Sequence, residues 1–266
     1  MAQTLGRSGR YVADEAARKK RMIVTIAMVM IAVVGISEGI IIASYIPPMP
    51  LGGWLRLVVF ILLLVLLICS SKWAMGKINK LEREQKNYER GAHGENVVAK
   101  ELSRFPHEFH VLHDLKTEFG NLDHVVIGPT GVYVLDAKNH RGVINADGKG
   151  GLLQNGKFND NLNIKKCVGR MMSIKEKVLI LAATKGCPIQ QNAPFFQALF
   201  VFTSAWIEPI WGKTGAVYCM AEDQLYKYIV EKDFGTRLKP EQVNIIARAF
   251  AQLAHMEVNF TENAKR

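Results

Sequence analysis

Two long apolar runs open the chain, and beyond them the hydrophobic pattern shortens to the periods of strands and amphipathic helices. From Met22 to Ile46 there are 25 residues with one charge, Glu38, and from Leu51 to Ser71 there are 21 with one charge, Arg56. A bilayer core takes about 20 apolar residues per helix, so either run is long enough to span it. Pro47, Pro48 and Pro50 lie between them and cannot continue a helix, which predicts a two-helix transmembrane hairpin over 22–71, with spans 22–46 and 51–71. A cleaved signal peptide would have a shorter apolar run and no second one directly behind it. Arg18, Lys19, Lys20 and Arg21 precede the first span, Lys72, Lys77, Lys80 and Arg83 follow the second, and the connecting turn has no charge. The positive-inside rule then predicts both termini on the cytoplasmic side, of the inner membrane if the protein is bacterial. Glu38 lies 10 residues before Pro48 and Arg56 lies 8 after it, at similar depth. An ion pair within the hairpin explains them better than a transport path, which needs more polar lining.

Residues 72–90 carry alternating charge without Pro, and predict a helical linker that continues out of the second span. From residue 91 the pattern becomes that of a soluble α/β domain. Glu95, Val98, Leu102 and Phe105 follow one helical face. Strands are expected at Phe109–Leu115, Leu122–Ile127 and Val132–Lys138, with a short one at Gly142–Ala146. A helix over 161–183 precedes strands at Gln197–Thr203 and Gly215–Met220, and amphipathic helices around Glu222–Glu231 and Pro240–His255 follow. A central mixed sheet flanked by helices accommodates this order. The expected layout is a basic N-terminal segment (1–21), the hairpin (22–71), the linker (72–90) and one domain (91–266).

Charge changes the picture in one respect. Residues 1–90 hold 13 Lys and Arg against 6 Asp and Glu, a net +7, whereas residues 91–266 hold 21 against 18, a net +3. The basicity therefore orients the membrane segment and is no nucleic-acid footprint on the soluble part, where any basic groove must be local. Lys165, Lys166 and Arg170 share a helix and could contact a phosphate backbone, although a solvated helix face accounts for them better. The four cysteines lack metal-ligand or disulfide spacing, and Cys167 falls on an apolar stripe with Met171, Ile174, Val178 and Leu181.

The richest chemistry lies around Gly128-Pro129-Thr130-Gly131. A turn of two or four residues gives a hairpin register in which Ile127 opposes Val132, Val125 opposes Val134 and Asp123 opposes Asp136. Alternation puts Lys138 on the same face as both aspartates. Opposed carboxylates destabilise a sheet unless a shared proton, an amine or a cation offsets them. Two carboxylates and a lysine suit metal-assisted phosphodiester hydrolysis: hard oxygen donors select Mg²⁺ or Mn²⁺, and Lys138 is placed to stabilise developing charge. Glu95, on the buried face of its helix, is a third candidate ligand. His124 points to the opposite face, and His110 and His113, three apart on a strand, cannot form a metal pair.

Three segments, Gly91-Ala92-His93-Gly94-Glu95, Val111-Leu112-His113-Asp114 and Leu122 through Lys138, resemble the nuclease-related domain (NERD), a branch of the PD-(D/E)xK restriction-endonuclease-like superfamily. The resemblance implies a restriction-endonuclease-like mixed sheet. It assigns Glu95 as the helix acid, Asp123 as the first strand acid, and Asp136 and Lys138 as the D-x-K pair. It further implies metal binding by Glu95, Asp123 and Asp136, with Lys138 assisting attack on DNA, or on RNA as the alternative substrate. A non-catalytic, membrane-tethered module that binds nucleic acid or protein on the same fold is the competing expectation.

Overall fold

The computed structural model describes residues 1–43, 53–159, 162–185, 195–207, 217–231 and 237–256. Its contacts divide into two units, Val12–Glu89 on one hand and Met1–Tyr11 with Arg90–Arg266 on the other.

The first unit is drawn from two helices, α1 (Arg10–Ala43) and α2 (Gly53–Leu102). Both are long and apolar enough to cross a membrane, with mean hydropathy of 2.4 and 2.6 over their most apolar windows. Those windows are 6% and 0% buried, so Met28, Ile31, Leu57, Leu62 and Leu66 project outward with no protein core over them. A helix apolar around its whole circumference needs a hydrocarbon or protein environment. At the charged end of the unit Lys19 and Glu84 form an ion pair of 2.6 Å, while Ala16, Ala74 and Leu81 are buried. The proline-rich turn and the Arg56 side chain lie outside the described residues, and with them the expected pairing of Arg56 with Glu38. The span, linker and first soluble helix read separately from the sequence form the single helix α2. Nothing between Gly53 and Leu102 is a proline, so nothing forces a break.

The second unit is built on a six-stranded mixed sheet in the order β1-β2-β3-β4-β8-β10. Its strands are β1 (Gln3–Leu5), β2 (His110–Thr117), β3 (Gly120–Gly128), β4 (Gly131–Lys138), β8 (Phe196–Phe202) and β10 (Val217–Ala221). β2, β3 and β4 form an antiparallel meander, whereas β4–β8, β8–β10 and β1–β2 are parallel. A smaller sheet in the order β7-β6-β5-β9 comprises β5 (Gly142–Ala146), β6 (Leu152–Gln154), β7 (Lys157–Phe158) and β9 (Ala205–Ile207). Helices cover both faces of the large sheet. Val125, Ile127, Val132 and Val134 pack into one apolar core with Met171, Ile174 and Val178 of α3 (Ile164–Thr184) and Ile246 and Phe250 of α4 (Pro240–Leu253). Val126, Tyr133 and Leu135 pack into the opposite core with Val98 and Leu102 of α2 and with Leu225, Tyr228 and Ile229. The near-continuous apolar runs of β3 and β4 follow from this burial on both sides.

β6, β7 and β9, and the second sheet they build with β5, were not expected from the sequence, and two further features differ from it. β1 was not foreseen, because three residues with one exposed side chain carry no readable period. The expected helix at Glu222–Glu231 is a 3₁₀ turn (Glu222–Gln224) followed by a π turn (Lys227–Glu231). A π turn releases a backbone acceptor, and the Ile229 carbonyl accepts from the Thr130 hydroxyl at 2.7 Å.

Gly128 ends β3, where the Phe109 ring lies across the backbone: a Cβ built there would stand 2.1 Å from a ring carbon. Gly128→Ala should therefore destabilise the protein by about 1–3 kcal/mol, as overpacked cores do, read as a lowered denaturation midpoint of the full chain. An unchanged midpoint would mean that Phe109 moves aside freely.

Candidate active site

The β3–β4 ladder pairs Gly128 with Gly131, Ile127 with Val132, Val125 with Val134 and His124 with Leu135, around a two-residue Pro129-Thr130 turn. This is the register expected from the sequence. The ladder stops after His124 and Leu135, one step before Asp123 would meet Asp136. The Ala137 N–H, which continued pairing would bring opposite Leu122, instead donates to Asp123 Oδ2 at 2.8 Å. A carboxylate has thus taken over a backbone donor at the strand end, and the two aspartates lie where the strands separate.

On the other edge of β3 the same row is interrupted again. His113 pairs with His124 and Leu115 with Leu122, but Asp114, between them, drops out of the ladder opposite Asp123. Asp114 has φ +54°, a left-handed conformation that Asp tolerates better than most residues. Its carboxylate accepts from the Tyr11 N–H at 2.8 Å and from the Asn121 side-chain amide at 2.9 Å. Asp114, Asp123 and Asp136 therefore share one register row across three strands.

Lys138 Nζ lies 2.8 Å from Asp136 Oδ1 and 5.0 Å from the centroid of the Phe200 ring. The other Asp136 oxygen lies 3.6 Å from the Arg170 guanidinium, which also donates to the Asn121 carbonyl at 3.0 Å. Arg170 is thus not on a merely solvated helix face, contrary to the sequence expectation. The periodicity of α3 gave its apolar side but not the side on which its long cations reach the strands. Cys167, beside it, is buried, and burial first, then Asp136, pushes its thiol up to about 11. It stays protonated near neutral pH and packs as a core residue.

Glu95 comes from α2, one turn before the buried Val98. Gly94 makes its position attainable: a Cβ there would lie 2.8 Å from Asn139 Cβ and 3.2 Å from Thr203 Oγ1, so only glycine lets the helix approach the end of β4 this closely. Asn139 secures that approach, donating to the Arg90 carbonyl at 2.6 Å and accepting from the Ser204 hydroxyl at 2.5 Å. Its role was not legible in the sequence, where it reads as one more turn residue. Glu95 is 4% exposed and its Oε2 has no hydrogen-bond partner. The backbone N–H of Gly9 supports the carboxyl.

Burial, then the charge of Asp114, and also that of Asp136, raise Glu95 from 4.5 to about 7 against the Gly9 N–H. Burial, then Asp136 and Glu95, push Asp123 well above the usual carboxylate range, against the Ala137 N–H and Lys138. The three acids therefore feel one another. Among the described residues no three His, Cys, Asp or Glu side chains already stand as a metal-binding group. The unpartnered Glu95 oxygen and the mutual repulsion of the carboxyls are nevertheless what a hard cation would relieve, and an all-oxygen donor set fits Mg²⁺ or Mn²⁺.

The histidines divide as alternation requires. His113 and His124 meet across the β2–β3 ladder with Nδ1 atoms 2.7 Å apart, and burial lowers them to about 4 and about 3. They form a neutral hydrogen-bonded pair. His110 is directed to Asn244 of α4.

Residues 90–203, which include Glu95, Asp123, Asp136 and Lys138, match the family model of the nuclease-related domain, NERD. An uncharacterized protein of Bacillus anthracis is 41% identical over 61 residues, covering 21% of this chain and 29% of its own length. No solved structure matches the chain.

A group whose folded pKa is raised stabilises the fold fully below its unfolded value and loses that contribution as pH rises through the folded one. For Glu95 the window runs from 4.5 to about 7. Without divalent ions, the denaturation midpoint should fall across it relative to Glu95→Gln, a difference on the order of 2–3 kcal/mol. Parallel pH profiles for the two proteins would show that Glu95 is not held protonated.

Proposed function

We propose that the nuclease-related domain at residues 90–203 belongs to a metal-dependent nuclease, which hydrolyses phosphodiester bonds of DNA, or alternatively RNA, at the cytoplasmic surface of a membrane. The observation that carries this reading is the meeting of Asp123, Asp136 and Lys138 at one strand end, with Glu95 within electrostatic reach. Glu95, Asp123 and Asp136 would hold Mg²⁺ or Mn²⁺. Such an ion lowers the pKa of a bound water and offsets the charge of the attacked phosphate. Lys138, 2.8 Å from Asp136 Oδ1, would donate to phosphate oxygens as negative charge builds on them. Glu95, raised to about 7 while no cation is bound, would give up its proton on taking its place as a ligand. A meander leading through a helical connection into a parallel strand agrees with a restriction-endonuclease-like sheet.

The apolar, unburied windows of α1 and α2 support a membrane hairpin over 22–71, with 72–90 as spacer and 91–266 as the soluble part. The basic flanks favour cytoplasmic termini. A second reading has its own support: Asp136 is already engaged by two cations, and among the described residues no three-acid metal group stands preformed. That arrangement suits a tethered module that binds nucleic acid without cutting it.

The full chain in detergent micelles, supplied with Mg²⁺ or Mn²⁺, should degrade DNA, and chelation should stop it. Asp136→Asn and Lys138→Ala should each lower the rate by about 100-fold or more while far-UV circular dichroism is kept. DNA binding without cleavage under both metals would favour the module.

A further inference from the structure

A cavity of about 230 Å³ opens between α3 and the end of β4, and its wall includes Asp136, Lys138, Asn163, Lys166 and Arg170. Three cations against one carboxylate give this wall a formal +2, in a soluble part whose net charge is close to balance. The cationic side chains come from both elements, so the excess positive charge is a property of the cavity and not of one helix face.

The donors there are only partly used. Arg170 spends one nitrogen on the Asn121 carbonyl, and its other approach, to Asp136, is 3.6 Å, beyond hydrogen-bonding distance. Asn163 caps α3 with Oδ1, accepting the Lys166 N–H at 3.0 Å, which leaves its amide NH₂ as a donor. Lys166 is exposed. The first turn of α3 has no acidic residue and carries Lys165 and Lys166 in its place. Cations there oppose the helix dipole, an arrangement an incoming anion would relieve. A planar guanidinium fork, an ammonium and an amide around a space of this size match the oxygens of a phosphate group.

We propose that this cavity is a phosphate-binding subsite, in which Arg170 and Lys166 seat a backbone phosphate of the nucleic-acid strand adjacent to the bond that is cut. The strand as ligand rests on the nuclease reading; the phosphate chemistry follows from the cavity itself. Substrate and Asp136 then compete for Arg170: as the phosphate takes the guanidinium, Asp136 loses one of its two cations and is freer to serve the metal. Specificity is for the backbone, not for base sequence, since the donors of the wall, Lys138, Asn163, Lys166 and Arg170, suit phosphate oxygens.

The test is equilibrium binding of a fluorescent duplex oligonucleotide to the full chain in micelles, with divalent ions chelated and salt varied from about 50 to 300 mM. Lys166→Ala/Arg170→Ala should bind about tenfold more weakly and reduce the slope of log K against log salt by roughly 1–2, as the loss of one or two phosphate contacts requires. Lys166→Ala alone, at an exposed position, should show about half the slope change, which guards against a folding defect at Arg170. Arg170→Lys should keep the slope but lose affinity. Asp136→Asn, which removes the one anion of the wall, should bind more tightly while cleavage is lost. Wild-type affinity and slope in the double variant, or no DNA binding by the unaltered protein, would overturn the subsite. Absence of metal-dependent cleavage with these binding changes intact would overturn the nuclease reading alone.

Discussion

Like-charged carboxyls held together in a recessed place are the constraint around which the sheet-bearing unit is arranged. Asp123 and Asp136 would repel across a regular ladder, and the strands part there, the Ala137 N–H turning to the Asp123 carboxylate. Glu95 is brought close by a glycine contact and left with an unpartnered oxygen. Each arrangement costs stability, since buried carboxyls must take up protons or find cations. Apolar cores on both faces of β3 and β4 offset that cost and keep the strands in register up to the residue before the acids. The site is a strained margin of a well-packed sheet, as expected where chemistry is concentrated.

Much of this was legible in the sequence because the hairpin is short and its turn even. With Gly128 and Gly131 flanking two residues, parity alone placed Asp123, Asp136 and Lys138 on one side and His124 on the other. The helical face of Glu95, Val98, Leu102 and Phe105 was equally plain, and all four are buried. What escaped were features set by approach and not by period. Gly94 was legible as part of the Gly91–Glu95 motif, but not the close approach to Asn139 that requires it. Asp114 reads as an ordinary strand position, although its left-handed backbone breaks the ladder opposite Asp123. Arg170 reads as solvated because periodicity says where a helix is apolar, not how far a guanidinium reaches past the apolar edge.

The charge distribution divides labour in a similar way. Basic residues cluster at the ends of the apolar runs, while residues 91–266 carry only a net +3 and concentrate their charges locally. Around Asp136 one acid row meets one cationic wall, with Lys138 belonging to both. An acid cluster alone would repel a phosphate backbone, and a cationic wall alone would hold it without reacting. Their juxtaposition joins anion attraction with anion-rich chemistry over a few ångströms.

β1 brings a consequence of another kind. Gln3, Thr4 and Leu5 pair with His110, Val111 and Leu112, and Tyr11 reaches Asp114 across a separation of 103 residues. The stretch Val12–Glu89 is therefore bracketed by two segments of the same unit, as an insertion is. Closing so long a loop carries an entropic penalty and slows folding. On the ribosome the first strand emerges long before its neighbour, and the apolar pair of helices is made in the interval. This edge of the sheet can form only after β2 has been made to receive β1.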